Sequence, residues 1–180
     1  LDAGLGVSQN VVDVTIQSLQ TLPEELQRVL SIAAFLRSSF DLGTLHFVVA
    51  ELSEGEAIEQ TPEPLERLLE IAVTAGFLDH TVGTQKYQFV HDRIREAAHS
   101  LLSASEKKES MLNIGKCLVH LASNPSSSEE WMLFAGIDNI NSLPMDMTEQ
   151  TFGLTVLIEL NHAAGKKAAS RSAYSAAASY

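Results

Sequence analysis

The sequence predicts a mainly α-helical protein in two parts, with a single β-hairpin confined to the first. Three observations lead there. Apolar residues recur at helical spacing over most of the chain, strict alternation is confined to the neighbourhood of Tyr87 and Phe89, and from Ser105 onward the signal is helical. A chain of 180 residues can form one domain or two small ones, and 45% hydrophobic content suffices for a real core.

Thr21-Leu22-Pro23-Glu24 reads as a capping box, in which the Thr21 hydroxyl and the Glu24 carboxylate satisfy free N–H groups at a helix start. Leu26, Val29, Leu30, Ala33 and Leu36 then share one face. Asp41 is placed to cap a second helix that buries Leu42, Leu45, Val48 and Val49. The acidic stretch "ELSEGEAIEQ" (51–60) reads as a solvated connection. Thr61-Pro62 opens a third helix with a buried face of Leu65, Leu68, Leu69 and Ala72, and Gly76 supplies a left-handed stop. "FLDHTVGTQKYQFV" (77–90) reads as two short strands around a turn at Gly83. The period switches inside "YQFVHDRIREAAHSLL" (87–102): Ile94, Ala97, Ala98, Leu101 and Leu102 fall at helical spacing, and the helix is expected to run to about Ser103. Asp92 is expected to cap it, accepting N–H bonds near Ile94 or Arg95. Three helices, a hairpin and a helix is the element order of a winged-helix domain; another small α+β arrangement is compatible with the same order.

In the second part, "SEKKESMLNIGKCLVHLA" (105–122) carries Met111, Leu112, Gly115, Leu118, Val119 and Ala122 toward one side. "SNPSSSEE" (123–130) reads as a loop, "EEWMLFAGIDNINSL" (129–143) as a further helix, and Pro144 as a break. "TEQTFGLTVLIELNHAAGKKAAS" (148–170) puts Leu154, Leu157, Ile158 and Asn161 on a stripe continuing to Ala164 and Ala168. Small residues from 164 to 177 let helix backbones approach, as in stacked helical hairpins.

Composition narrows the functions. Twelve basic against twenty-three acidic residues, a net charge of −11, disfavour broad attraction to nucleic acid or anionic lipid. The third helix, "EPLERLLEIAVTAGF", has Arg67 as its only basic residue, and the hairpin adds only Lys86, so no row of side chains for base edges is available. No apolar stretch is long enough to cross a bilayer, no signal peptide is recognisable, and the single Cys117 fits a reducing compartment, so a cytoplasmic location is expected. Cys117 and His120 lie one turn apart, too few for a structural metal site. No Gly-x-Ser-x-Gly elbow occurs. The pairs Glu24-Glu25 and Glu129-Glu130 read as favourable charge near helix starts, and Trp131 with Phe134 as packing residues.

"LQRVLSIAAFLRSSFDLGTL" (26–45), "FVHDRIREAAHSLL" (89–102), "LFAGIDNINSL" (133–143) and "LNHAAGKKAASRSAYSAAASY" (160–180) are, in this order, similar to landmarks of one known arrangement. The chain resembles the segment that follows the nucleotide-binding module in large signalling ATPases of the STAND class, including the AAA-type (Orc1-like) regions of multidomain serine/threonine kinases and hybrid histidine kinases. The resemblance implies a linker from an upstream ATPase core at 1–19, a winged-helix domain at 20–103, and the start of a tetratricopeptide-like arm at 104–180. It also implies ATP or ADP and Mg in the upstream domain, with no cofactor held by this chain. A phosphate loop needs another glycine five positions before a Gly-Lys pair; before Gly115-Lys116 and Gly165-Lys166 those places hold Ser110 and Leu160. No ATP hydrolysis is therefore expected from these residues.

Phe89-Val90-His91-Asp92 resembles the Met-His-Asp motif of related STAND switches, whose histidine contacts the phosphates of bound ADP. The resemblance puts His91 in the place of that histidine and Asp92 in that of the aspartate, with Val90 for the methionine. Imidazole can donate to a phosphate oxygen, more strongly when protonated. The plainer reading of His91 is a partly buried ring bonded to a local carbonyl, and of Arg93 and Arg95, solvated helix residues. The expected function is a non-catalytic regulatory segment coupling the nucleotide state of an ATPase core in the same polypeptide to protein partners of the helical arm. A freestanding helical adaptor is the alternative, and a DNA-binding regulator a third.

Overall fold

Pro23 decides where the first long helix begins. Its extended backbone (ψ 140°) separates the helical residues 14–20 from α1 (Glu24–Leu36). The expected capping box does not form: the Thr21 hydroxyl donates backward to the Ser18 carbonyl at 2.7 Å, and no side chain caps α1. The extended backbone at Pro23 separates Thr21 from the N–H groups it would have to reach, while Glu24 and Glu25 remain in the first turn, where the helix dipole favours negative charge. The computed structural model describes residues 14–53, 62–123, 130–171, 173–178 and 180, and it divides into two compact units, Leu1–Lys107 and Lys108–Tyr180.

In the first unit α1 is the core, burying Leu26 and every residue from Val29 to Leu36. β1 (Ser39–Asp41) and α2 (Leu42–Leu52) follow directly. Asp41 caps α2, its Oδ1 accepting the Thr44 N–H at 2.8 Å and its Oδ2 the Thr44 hydroxyl at 2.6 Å. α3 (Glu63–Thr74) starts after Pro62 and buries Leu65, Leu69 and Ala72, with Leu68 only half-buried. The expected solvated connection between α2 and α3 lies largely outside the described residues, as does Thr61. Gly76 and Gly83 both take φ +78°, the left-handed backbone that the helix stop and the hairpin turn require.

The hairpin strands β2 (Leu78–His80) and β3 (Lys86–Phe89) form as expected, but β1 adds to them, giving a three-stranded antiparallel sheet of order β1-β3-β2. Three residues with one buried side chain, Phe40, are too short for alternation to be visible in sequence. The strand forms because Phe40 pairs with Tyr87 and the Leu42 N–H reaches the Gln85 carbonyl at 2.9 Å. α4 (Asp92–Ser100) ends earlier than expected and packs Ala97 and Ala98 on α1. The buried Ser31 hydroxyl lies 2.9 Å from the Gln27 carbonyl and 3.1 Å from that of Ala98, so a polar side chain ties the two helices together.

α5 (Ala104–Ala122) opens on a capping box that the sequence reading missed: Ser103 N–H donates to Glu106 Oε2 at 2.8 Å and Glu106 N–H to the Ser103 hydroxyl at 3.3 Å. In the second unit, α6 (Trp131–Asn141) crosses α5 where Gly115 faces Gly136. A Cβ at Gly136 would sit 3.0 Å from the Gly115 carbonyl oxygen, so the two backbones touch. Beyond Pro144 the expected stretch 148–170 is not one helix. Gly153, at φ +75°, divides it into α7 (Met145–Phe152) and α8 (Leu154–Ser170).

Of the expected stripe, Leu157, Ala164 and Ala168 are buried, whereas Leu154 and Ile158 are 48% and 59% exposed. Asn161 exchanges amide hydrogen bonds with Asn141 at 2.8 and 3.3 Å, joining α8 to α6. Glu130 is more than a favourable charge at the start of α6: it lies 3.5 Å from Lys167 Nζ and 2.5 Å from Arg171 Nη2, bracing the end of α8. The Ala/Ser-rich run ends in a short α9 (Tyr174–Ala177), and the Tyr180 hydroxyl donates to Asp138 Oδ1 at 2.8 Å.

Candidate functional site: the corner between the sheet and helix α4

β3 is bonded on both sides, and its hydrogen bonds persist to the edge of the corner: Phe89 N–H donates to the Ser38 carbonyl at 2.9 Å and Val90 N–H to that of Phe77 at 3.2 Å. Phe89 is buried against the Phe40 ring, with centroids 6.0 Å apart. It anchors the strand from below, while Val90 and His91 are exposed.

His91, not Asp92, caps α4. Its backbone is extended (φ −149°, ψ 144°), its Nδ1 accepts the Arg93 N–H at 3.1 Å, and its carbonyl accepts the Ile94 N–H at 2.9 Å. The physical reason is reach. Nδ1 of histidine stands as many bonds from Cα as a carboxylate oxygen of aspartate, so an imidazole can close the same ring with the backbone two residues on. Asp92 becomes the first residue of the helix, where its largely exposed carboxylate still interacts with the dipole and lies 4.0 Å from Arg95 Nε.

This assignment fixes the chemistry of the ring. Nδ1 can accept an N–H only when it carries no proton, so this cap leaves Nε2 as the ring atom able to donate. Donation through Nε2 leaves the cap intact. Protonation at Nδ1 would set two N–H groups against each other, so strengthening the donor by full protonation would cost the helix its cap. The expectation of a partly buried ring bonded to a carbonyl is corrected on both counts, since the ring is exposed and its partner is an N–H.

The embedded histidine of α4 is His99. Its ring meets the Phe35 edge at 4.3 Å. Burial, then the positive charges of Arg95 and Lys107, push its pKa down to about 4, against a weaker opposing bond to the Ala34 backbone. A signal existed in its position, one residue past the buried Ala98 on the face toward α1. His80 stacks on the buried Tyr87 at 4.5 Å, with Nε2 2.8 Å from the Thr84 carbonyl oxygen, and closes the hairpin. Cys117 is half-buried and His120 exposed, and no cluster of three or more metal-ligating side chains occurs among the described residues. Glu129 lies outside the described residues, and the Phe134 ring packs 5.9 Å from that of Tyr180.

No family model matches the chain, and no solved structure matches it. Over 141 aligned residues it is 33% identical to hybrid signal transduction histidine kinase G of Dictyostelium discoideum. The match takes in 62% of this chain but only 4% of that protein, so the chain corresponds to a small part of a much longer polypeptide. It is similar in sequence to a signalling protein. Among the described residues, no helix is long and apolar enough to cross a membrane.

Proposed function

We propose that the first unit is a winged-helix domain that docks through the His91 corner on a nucleotide-binding ATPase module of the STAND/AAA type in the same polypeptide. In this reading the domain reports whether that module holds ADP or ATP, and the second unit, the start of a tetratricopeptide-like arm, carries the report to protein partners. The chain performs no catalysis of its own. ATP, ADP and Mg belong to the neighbouring module.

The observation that carries this reading is the capping geometry of His91: Nδ1 is committed to the Arg93 N–H, and an exposed ring keeps its remaining N–H for an outside acceptor. A phosphate oxygen suits such a donor, and one hydrogen bond to a charged acceptor is worth about 1.5–3 kcal/mol, enough to bias two domain arrangements of similar energy. The similarity to a histidine kinase of signal transduction supports a signalling context.

The test uses two substitutions in the intact parent. His91→Ala removes both cap and donor. His91→Asp retains a capping acceptor but presents a carboxylate in place of the donor. Both are expected to release ADP faster and raise basal signalling, with only His91→Ala also losing stability. Unchanged ADP retention in His91→Asp, with the fold intact, refutes the phosphate contact.

A further inference from the structure

Positive charge is scarce in this chain, yet it gathers around one hydroxyl. Ser170, the last residue of α8, is exposed, with Lys166 and Lys167 in the turn before it and Arg171 directly after. No other serine or threonine in the sequence has three lysines or arginines within four residues of it. The Ser170 hydroxyl donates to the Lys167 carbonyl at 2.7 Å. Two of the three cations already have work: Lys167 Nζ and Arg171 Nη2 hold the partly buried Glu130 carboxylate at 3.5 and 2.5 Å, tying the end of α8 to the start of α6. Lys166 takes no part in that brace.

We propose that Ser170 is a phosphorylation site for a serine/threonine kinase that selects basic surroundings, and that its phosphate unlatches α8 from α6. The γ-phosphoryl group of Mg-ATP passes to the hydroxyl: an Oγ–P bond forms, the P–O bond to departing ADP breaks, and the hydroxyl proton goes to the kinase's catalytic base. Cations flanking the serine match the charge pattern by which such kinases choose substrates. Its place at the helix end means that only the last turn has to open for it to be taken up extended. Three effects then act in one direction. Oγ has no proton left to donate to the Lys167 carbonyl. A group of charge about −1.5 to −2 stands at the negative end of the helix dipole, beside carbonyl oxygens that repel it. Its oxygens draw Lys167 and Arg171 away from Glu130, offering them more charge than one carboxylate does. Glu130 is left without its cations, and the brace opens. The proposal is independent of the His91 corner.

The test incubates the 180-residue chain with Mg-ATP and cyclic-AMP-dependent protein kinase, which takes serines preceded by basic residues, and locates the phosphate by mass spectrometry. Ser110, with Lys107 and Lys108 before it, is the internal comparison: sequence alone would recommend it, but it is half-buried inside α5. Ser170 should be modified and Ser110 not. Lys166→Ala, which leaves the brace intact, should slow uptake several-fold, and Ser170→Ala should abolish it with circular dichroism unchanged. Phosphorylation should lower Tm by about 2–4 °C. In Glu130→Gln, where there is no carboxylate for the phosphate to displace, the fall should be less than half as large. No phosphate on Ser170, uptake at Ser110 in its place, a Tm that holds or rises on phosphorylation, or an equal fall in Glu130→Gln overturns the proposal.

Discussion

His99 should make the first unit lose stability in mild acid. Its pKa in the folded chain is pushed down from 6.5 to about 4, so between these values the unfolded chain binds a proton that the folded chain refuses. Stability is therefore complete above about pH 6.5 and falls as the pH drops toward 4. At about 1.4 kcal/mol per pH unit this interval caps the effect at roughly 3 kcal/mol. The ring is only half-buried and solvent screens Arg95 and Lys107, so about 2 kcal/mol is the expected loss. Two measurements check it. The His99 Cε1–H resonance, followed by NMR, should titrate well below the 6.5 of an unperturbed histidine. Urea unfolding from about pH 7 to about pH 5 should have a steeper pH slope in the native chain than in His99→Phe, which keeps a ring against Phe35 and cannot titrate. A His99 resonance that titrates near 6.5, or parallel slopes for the two proteins, refutes the assignment.

Asp41→Ala removes the cap of α2 and should cost about 1–2 kcal/mol in urea unfolding, while Asp41→Asn should recover most of that. Gly136→Ala gains about 1 kcal/mol of helix propensity but forces a methyl to 3.0 Å from the Gly115 carbonyl oxygen, an overpacking cost of about 1–3 kcal/mol, so a lowered Tm is expected and a raised one would show that α5 and α6 can part. Ser31→Val removes the hydroxyl tie to α4 and adds a methyl to a fully packed site; a loss above about 1 kcal/mol is expected, against a smaller one for Ser31→Ala. His91→Ala should destabilise by about 1 kcal/mol through the lost cap, whereas His91→Asp, which keeps a capping acceptor, should not.

Long amphipathic segments were legible because burial repeats along them: the core faces of α1, α2 and α4 and the alternation of Tyr87 and Phe89 follow from spacing alone. What could not be read was settled by partners distant in sequence. β1 exists because Tyr87 and Gln85 lie beside it, and the exposure of Leu154 and Ile158 reflects which helices face α8. Local chemistry misled twice for the same reason: Thr21 and Asp92 are both good capping residues, but the backbone conformation beside them decides which side chain reaches the free N–H groups. At the corner between β3 and α4 the sequence reading gave the helix cap to Asp92, and the structure gives it to His91. Sequence habit ranks aspartate above histidine as a cap, and only the extended backbone at His91 reverses the order. Gly153 stood in plain view, yet one glycine inside a helical pattern is a weak stop signal until its φ is known.

Only Val90 and His91 separate the last residue of β3 from the first of α4. A linkage this short has no slack. A neighbour that grips the imidazole and turns pulls at once on the middle strand of the sheet, whose hydrogen bonds on both flanks spread the load to β1 and β2 instead of letting a loop absorb it. The corner is a two-residue joint on the central strand of the sheet, so a pull on His91 meets paired strand before it meets any loop.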